Sequence, residues 1–321
     1  MEDVLDGEVA FFTSQAFSIN TKRTYRSHRQ SYIDFCNRMG YAPVPASSST
    51  ICRYAAYLAR TLKFNSVKQY LNIIRLMHRE WNLPNPLQDN FPLSCTLRGI
   101  RRHLGDNVVR KKAITPEMLR QIFKHLNISV SFDATFWAAC LTMFYGLLRR
   151  SNVLLTSAAT FDVNKHLRRR DISYLPWGVM LHIRWSKVIQ FRSRTFELPL
   201  PRLHNNVLCP AQAIFHCQNL ADTSNLDTPA FVYKTGSSLK VLTSGQFVGR
   251  LRQTLLICGI NASEIATHSF RRGGATFCYS TGMSAENIKL LGDWRSSCYQ
   301  SYIENDTAAR FDLVKRMQQH L

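Results

Sequence analysis

Over the first hundred positions, apolar residues recur at helical spacing, and no stretch alternates for the length of a strand. Residues 1–14 are acidic and mildly apolar, and are expected to form a loose arm or a short helix. From Thr21 to Met39, Tyr25, Tyr32, Ile33, Phe35 and Cys36 fall at partly helical spacing, which leaves Lys22, Arg23, Arg26 and Arg29 for the other surfaces. Pro43 and Pro45 break the chain. Ser48 and Ser49 are candidate caps for a second helix carrying Ile51, Tyr54, Ala55, Leu58 and Ala59. A third helix, about Val67 to Trp81, has Tyr70, Ile73, Ile74 and Met77 as its stripe; Pro84 and Pro86 stop it, and a fourth covers roughly Cys95 to Leu104. Residues 15–105 therefore read as a small all-α domain with a basic surface.

The segment Gly105–Ala113 (GDNVVRKKA) is polar and without periodicity, so a linker is expected at 106–112 and a second domain at 113–321. Thr115-Pro116-Glu117 opens a helix, with Thr as cap and Pro in the first turn. A long apolar helix follows from about Ala134 to Leu148 and ends in GLLRRSN, which places Arg149 and Arg150 at the edge of a core. Val179–Trp185 (VMLHIRW) and Thr195–Leu200 (TFELPL) carry strand signals and flank the basic connection SKVIQFRSR, a hairpin pattern. Helices resume at Pro210–Leu220, Ser244–Cys258, Thr267–Ser280, Ala285–Leu291, around Tyr299, and at Ala308–His320. The fold class is mainly α with a small β-sheet, and no internal repeat is visible.

Charge narrows the partner. Lysine and arginine total 41 against 21 acidic residues, and the excess is spread along most of the chain, which suits an extended polyanion better than a small acidic ligand. The nine cysteines are odd in number and have no CxxC pairing, so buried free thiols in a reducing compartment are expected and a zinc site is not. No N-terminal segment joins a basic start to an apolar run, and no apolar run reaches membrane-spanning length. The expected setting is intracellular, and nuclear if the host is a eukaryote, without a membrane partner.

Candidate chemistry is concentrated between His268 and Tyr302 (HSFRRGGATFCYSTGMSAENIKLLGDWRSSCYQSY). On a helix, His268 and Arg271 share a face. A guanidinium forks onto two phosphate oxygens and an imidazole can move a proton, so the pair suits a phosphate. Gly273 and Gly274 weaken a helix interior, which a close backbone approach would explain. Tyr299 and Tyr302 each offer a phenol.

These residues, with Arg149 and Lys187 in separate settings upstream, resemble the tyrosine recombinase (phage integrase) family. The resemblance is closest to the recombinases of eukaryotic DIRS/Ngaro-type and Crypton mobile elements. GLLRRSNVL matches the first arginine box, WSK in the hairpin the catalytic lysine, HSFRRGGAT the His-x-x-Arg box, and LGDWRSSCYQSYI the box that ends in the nucleophile. The resemblance covers both domains, and implies an N-terminal helical core-binding (SAM-like) domain followed by a mixed α+β catalytic domain. It implies that Arg149 and Arg271 clamp the scissile phosphate, that Lys187 protonates the 5′-oxygen leaving group, and that His268 handles a proton or contacts the phosphate. Trp294 would donate to the phosphate and buttress the site. Tyr302 would attack, giving a 3′-phosphotyrosine and a free 5′-hydroxyl, with no cofactor, metal or ATP. The implied partner is double-stranded DNA, bound by a homo-tetramer on two duplexes, a dimer per site. Lys22, Arg23, Arg26, Arg29, Arg110, Lys111, Lys112, Arg150 and Arg272 are candidate DNA contacts, and Arg168–Arg170 is read as a solvated or DNA-backbone face. A stripe of Phe311, Val314, Met317 and Leu321 on the last helix is a candidate for docking on a neighbouring protomer.

The chain also departs from the family pattern. Asn152 stands where many members have Glu, and Gly292-Asp293-Trp294 replaces the usual Gly-His. Trp294 then precedes Tyr302 by eight residues instead of nine, which leaves Tyr299 as a second candidate nucleophile. Ile303 after Tyr302 fits the family's Tyr-then-apolar pattern and favours Tyr302. One other reading stays open, a catalytically inactive or domesticated DNA-binding protein descended from such an enzyme; a related topoisomerase shares the chemistry, but these boxes match recombinases better.

Overall fold

The computed structural model describes residues 1–107, 110–187, 189, 194–303, 311 and 315. Packing divides the chain into two compact units, Met1–Val109 and Arg110–Leu321, each with its own apolar core.

The first unit is a set of helices: α1 (Glu2–Gln15), α2 (Ile19–Met39), α3 (Ser48–Ala59), α4 (Phe64–Glu80) and α5 (Phe91–Leu104). Its start signals are side-chain caps. The Ser18 hydroxyl accepts from the Thr21 N–H at 3.2 Å, Ser47 from Thr50 at 3.1 Å, and the Asn90 side chain from Leu93 at 3.0 Å. The Asn90 cap, with Pro92 in the first turn, starts α5 ahead of the expected Cys95. Tyr32, Ile51, Tyr54, Val67 and Ile74 from α2, α3 and α4 are fully buried against one another. Residues expected to be an arm or short helix form α1, none of whose residues is buried.

The second unit is built round one helix. It comprises α6 (Pro116–Lys124), α7 (Ser131–Tyr145), α8 (Arg150–Val153), α9 (Pro210–Ala221), α10 (Ser244–Ile257), α11 (His268–Ser280) and α12 (Ala285–Leu291). With them are strands β1 (Ile172–Leu175), β2 (Gly178–Ile183), β3 (Phe196–Pro201), β4 (Val232–Thr235) and β5 (Ser238–Val241). Every residue of α7 from Asp133 to Phe144 is buried, as expected of a helix that is apolar all round, and α9, α11 and β4 pack against it. The sequence reading ran this helix to Leu148. Instead it stops at Tyr145, and Gly146 and Leu147 (φ 48°) redirect the chain, so Arg149 caps the start of α8.

β1, β2 and β3 form an antiparallel sheet in that order, and the β2–β3 pair is the hairpin expected from the sequence. β1 and the β4–β5 hairpin were not expected. The signal for the second was the run VYKTGSSLKV, whose turn holds Gly236 at φ 58°. Of the expected last helix, Phe311 and Lys315 are helical and exposed, whereas its Val314, Met317 and Leu321, like the far part of the β2–β3 connection, lie outside the described residues.

α11 sits unusually close to its neighbours. A Cβ at Gly273 would lie 2.1 Å from the Ile114 carbonyl oxygen, and one at Gly274 would lie 2.0 Å from that of Phe144. The two glycines therefore set how deeply α11 seats, and with it the depth of Arg271.

Candidate active site

Three turns of the second unit converge on α11. The first leads from α7 into α8 and carries Arg149, half-buried, whose N–H donates to the Asn152 side-chain oxygen at 3.3 Å. The second follows α12: Asp293, in the left-handed region at φ 51°, turns the chain so that Trp294 folds inward to 6% exposure. The third is the 3₁₀ segment Ser297–Ser301, which delivers Tyr302, whose N–H donates to the Tyr299 carbonyl at 2.8 Å.

Arg271 is the centre. It is 2% exposed, and its guanidinium donates to the carbonyls of Leu147 and, at 3.0 Å, Gly292, one from each of the first two turns. Those bonds take two of the five N–H donors that a guanidinium carries. The guanidinium carbon lies 4.0 Å from the centroid of the Trp294 ring and 5.2 Å from that of Tyr302, in cation–π range. The Nε2 of His268, one helical turn before Arg271, lies 3.3 Å from the Tyr302 hydroxyl. The Thr276 hydroxyl, further along α11, donates to the Tyr302 carbonyl at 3.4 Å. The Trp294 Nε1 and Arg271 Nε are buried and have no hydrogen-bond partner among the described residues.

The electrostatics follow from crowding cations in a partly dry site. Burial first, and then the charge of Arg149, push the Arg271 guanidinium below its ordinary value, while Tyr302 opposes them. His268 keeps an exposed edge, but its partly buried ring and the charges of Arg271, Arg149 and Arg272 hold its pKa below that of a free imidazole. The imidazole beside the Tyr302 hydroxyl is thus neutral at neutral pH and available to accept a proton.

Tyr302 meets His268, Arg271 and Trp294, Arg271 also meets Trp294, and the charge of Arg149 is near enough to shift Arg271 and His268. Tyr299, 8% exposed, packs instead in the cluster of Leu147, Ala275, Ile288 and Trp294. Lys187 is exposed on a tight turn in the β2–β3 connection, where Ser186 and the buried Ile189 exchange backbone hydrogen bonds of 3.5 and 3.1 Å.

The candidate DNA contacts divide. Lys22, Arg23 and Arg26 on α2 are exposed, as is Arg150. Arg29 pairs with Glu80 at 2.5 Å and Lys112 with Glu264 at 2.6 Å. Arg110 donates to the Ser301 carbonyl at 2.9 Å, and Lys111 to that of Ser263. Arg272, also a candidate DNA contact, lies inside. It is 7% exposed, because the deep seating of α11 takes the position after Arg271 into the interior as well. The arginine triplet is also not a plain solvated face: Arg168 bonds Asp171 and Asp227 at 3.1 and 3.0 Å, and Arg170 bonds Asp227 at 2.9 Å. Sequence reasoning missed the parts that Thr276, Asp293 and Arg194 play, because their partners lie far away along the chain.

No family model matches the sequence. The chain is similar to an integrase/recombinase xerD homolog of Selenomonas ruminantium, 24% identical over 314 residues that cover 93% of this chain and 85% of the relative. Among solved structures it is similar to a lambda integrase dimer bound to a COC' core site, with a TM-score of 0.60 and 14% identity over 96% of both chains. It is also similar to the Tn1549 transposon integrase in complex with transposon right end DNA, with a TM-score of 0.65 and 13% identity over 95% of both chains. The mainly helical architecture with small antiparallel sheets is that of these integrase structures. With the near full-length similarity to the recombinase, it supports the tyrosine recombinase/integrase family.

Proposed function

We propose that this protein cuts and rejoins DNA strands at specific sites as a tyrosine recombinase. The observation that carries this reading is the Tyr302 hydroxyl, held 3.3 Å from a neutral His268 and against the buried Arg271. A phenol with a pKa of about 10 is a weak nucleophile at neutral pH, and an adjacent base and cations are what activate it. In the proposed step, His268 takes the phenolic proton as the Tyr302 oxygen attacks the scissile phosphorus. The bond from phosphorus to the 5′-oxygen breaks, and Lys187 supplies the proton that the leaving oxygen needs. The product is a 3′-phosphotyrosine with a free 5′-hydroxyl. The energy of the broken phosphodiester stays in the new ester, so rejoining needs no nucleotide.

Arg149 and the free donors of Arg271 and Trp294 stabilise the charge on the nonbridging oxygens, the part that positioning and electrostatics play in phosphoryl transfer. The exposed cations Lys22, Arg23, Arg26 and Arg150 hold the DNA backbone. Lambda integrase has been seen as a dimer on a core site and as a tetramer on a Holliday junction, the latter with a TM-score of 0.56 to this chain at 15% identity, and a like assembly is proposed here. The affinity with DIRS/Ngaro-type or Crypton elements rests on the boxes GLLRRSNVL, HSFRRGGAT and LGDWRSSCYQSYI. An intracellular setting, nuclear in a eukaryotic host, follows from a DNA substrate.

Covalent trapping tests the reading. Purified protein is mixed with suicide DNA carrying the termini of the element that encodes it, and adducts are resolved on a denaturing gel. A covalent adduct is expected from the wild type and from Tyr299→Phe, but not from Tyr302→Phe, with at most a trace from Arg271→Ala. Salt-sensitive binding without any adduct would instead make the protein an inert DNA-binding descendant. An adduct lost only with Tyr299→Phe would move the nucleophile.

A further inference from the structure

The connection that carries Lys187 is pinned on both arms, by side chains from the same turns that form the cationic site. On the arm leaving β2, the Asn152 amide donates to the Trp185 carbonyl at 3.3 Å while its oxygen accepts from the Arg149 N–H. On the arm entering β3, the Arg194 guanidinium grips the Asp293 carboxylate. Asp293 immediately precedes Trp294, and its side chain is 16% exposed against 38% for Arg194, so the pair is partly sheltered from solvent. Between the arms, the buried Ile189 anchors the tight turn on which Lys187 stands. Asn152 and Asp293 are also the positions at which the sequence departs from the family pattern.

We infer that Asn152 and the Asp293–Arg194 pair are positioning residues: they seat the lysine turn between the Arg149 and Trp294 turns and so aim the Lys187 ammonium at the leaving oxygen. The inference rests on the proposed role of Lys187 as general acid. An ion pair with one partner as open to solvent as Arg194 adds little stability. Its effect here is geometric: a proton donor displaced by about 1 Å can cost roughly 100-fold in rate.

A substrate whose leaving group needs no proton tests this. Single-turnover cleavage is compared on trapping DNA with an ordinary 5′-oxygen and on the same DNA with a bridging sulfur at that atom. A thiol, with a pKa of about 8.5, leaves without protonation. Arg194→Ala and Asp293→Asn are each expected to slow the oxygen substrate by roughly 10- to 100-fold and to cleave the sulfur substrate at the wild-type rate, whereas Asn152→Ala, which also releases the Arg149 N–H, is expected to lose rate on both and at least about 10-fold more on oxygen. Asp293→Asn keeps the side-chain shape and tolerates the left-handed backbone, and sulfur cleavage itself reports that each variant is folded. Equal losses on both substrates, or no loss on either, would overturn the positioning role. If sulfur does not rescue Lys187→Ala, the general-acid assignment fails and the inference with it. If the wild type cleaves neither substrate, the proposed function itself is what fails.

Discussion

His268 faces the Tyr302 hydroxyl, and its protonation state decides whether it can take the phenolic proton. Partial burial and the charges of Arg271, Arg149 and Arg272 lower its pKa, so it stays neutral further into acid than a free imidazole. Single-turnover cleavage followed against pH should therefore fall off on the acid side with a midpoint below about 6.5, the ordinary value, and that limb should be lost in His268→Gln. A midpoint above 6.5 would contradict the geometry. The same shift acts on stability. His28 and His166 are also lowered, first by burial, so the folded protein binds protons less readily than the unfolded chain at all three histidines. Stability is then highest above the unfolded value and falls as pH drops from about 6.5 toward the lower folded values, which urea midpoints at pH 7.5 and pH 5 would show. The shared face of His268 and Arg271 was legible from helical spacing, whereas Trp294 and Tyr302 were linked to it by the resemblance of their boxes to the recombinase family. The burial of Arg272 was not legible, since helical spacing alone gives no depth. Nor were the contacts of Asn152 and Asp293, which depend on Trp185 and Arg194, far away in the chain.

At the scale of elements, α11 is where sequence and packing constrain each other most tightly. Alanine is the better helix former by about 1 kcal/mol, so on propensity alone Gly274→Ala should stabilise. The new Cβ would, however, sit 2.0 Å from the Phe144 carbonyl, a backbone atom that cannot swing aside. Overpacking of this kind costs typically ~1–3 kcal/mol, so a net destabilisation is expected, read as a lower urea midpoint at unchanged slope. Gly273→Ala should behave alike against Ile114, whereas an alanine at Gly249 meets no atom within 4 Å and should be tolerated. The pair of glycines announced a close approach from sequence alone, but the neighbours that make it close could not be read. Among whole elements, α2, α3 and α4 were legible because each presents an apolar stripe. β1, β4 and β5 are four residues apiece, too short for alternation to stand out. The end of α7 was misplaced because Gly146 and Leu147 continue its apolar run while their backbone leaves the helix.

Across the whole molecule, the cationic excess is the widest-acting property, and the structure sorts it into cations that are spoken for and cations that are not. Arg168 and Arg170 are committed to Asp171 and Asp227, and Arg29 to Glu80. Lys22, Arg23 and Arg26 are exposed along α2; Lys22 donates to the Ser14 carbonyl and has no acidic partner among the described residues. If these three hold phosphates, each contact releases condensed counterions, and the slope of log K against log salt should shrink by about 0.9 for every contact removed. Neutralising Lys22, Arg23 and Arg26 together is therefore expected to lower the slope by up to about 2.7. The loss of affinity should be the same on cognate and unrelated DNA, since phosphate contacts carry no sequence information. Arg168→Ala should leave the slope where it is and lower stability instead, because it strips the buried Asp171 carboxylate of a partner. Titrating both variants on two duplexes across a salt series separates the classes. A slope that falls equally in both would mean that total charge, and not this face of α2, meets the DNA.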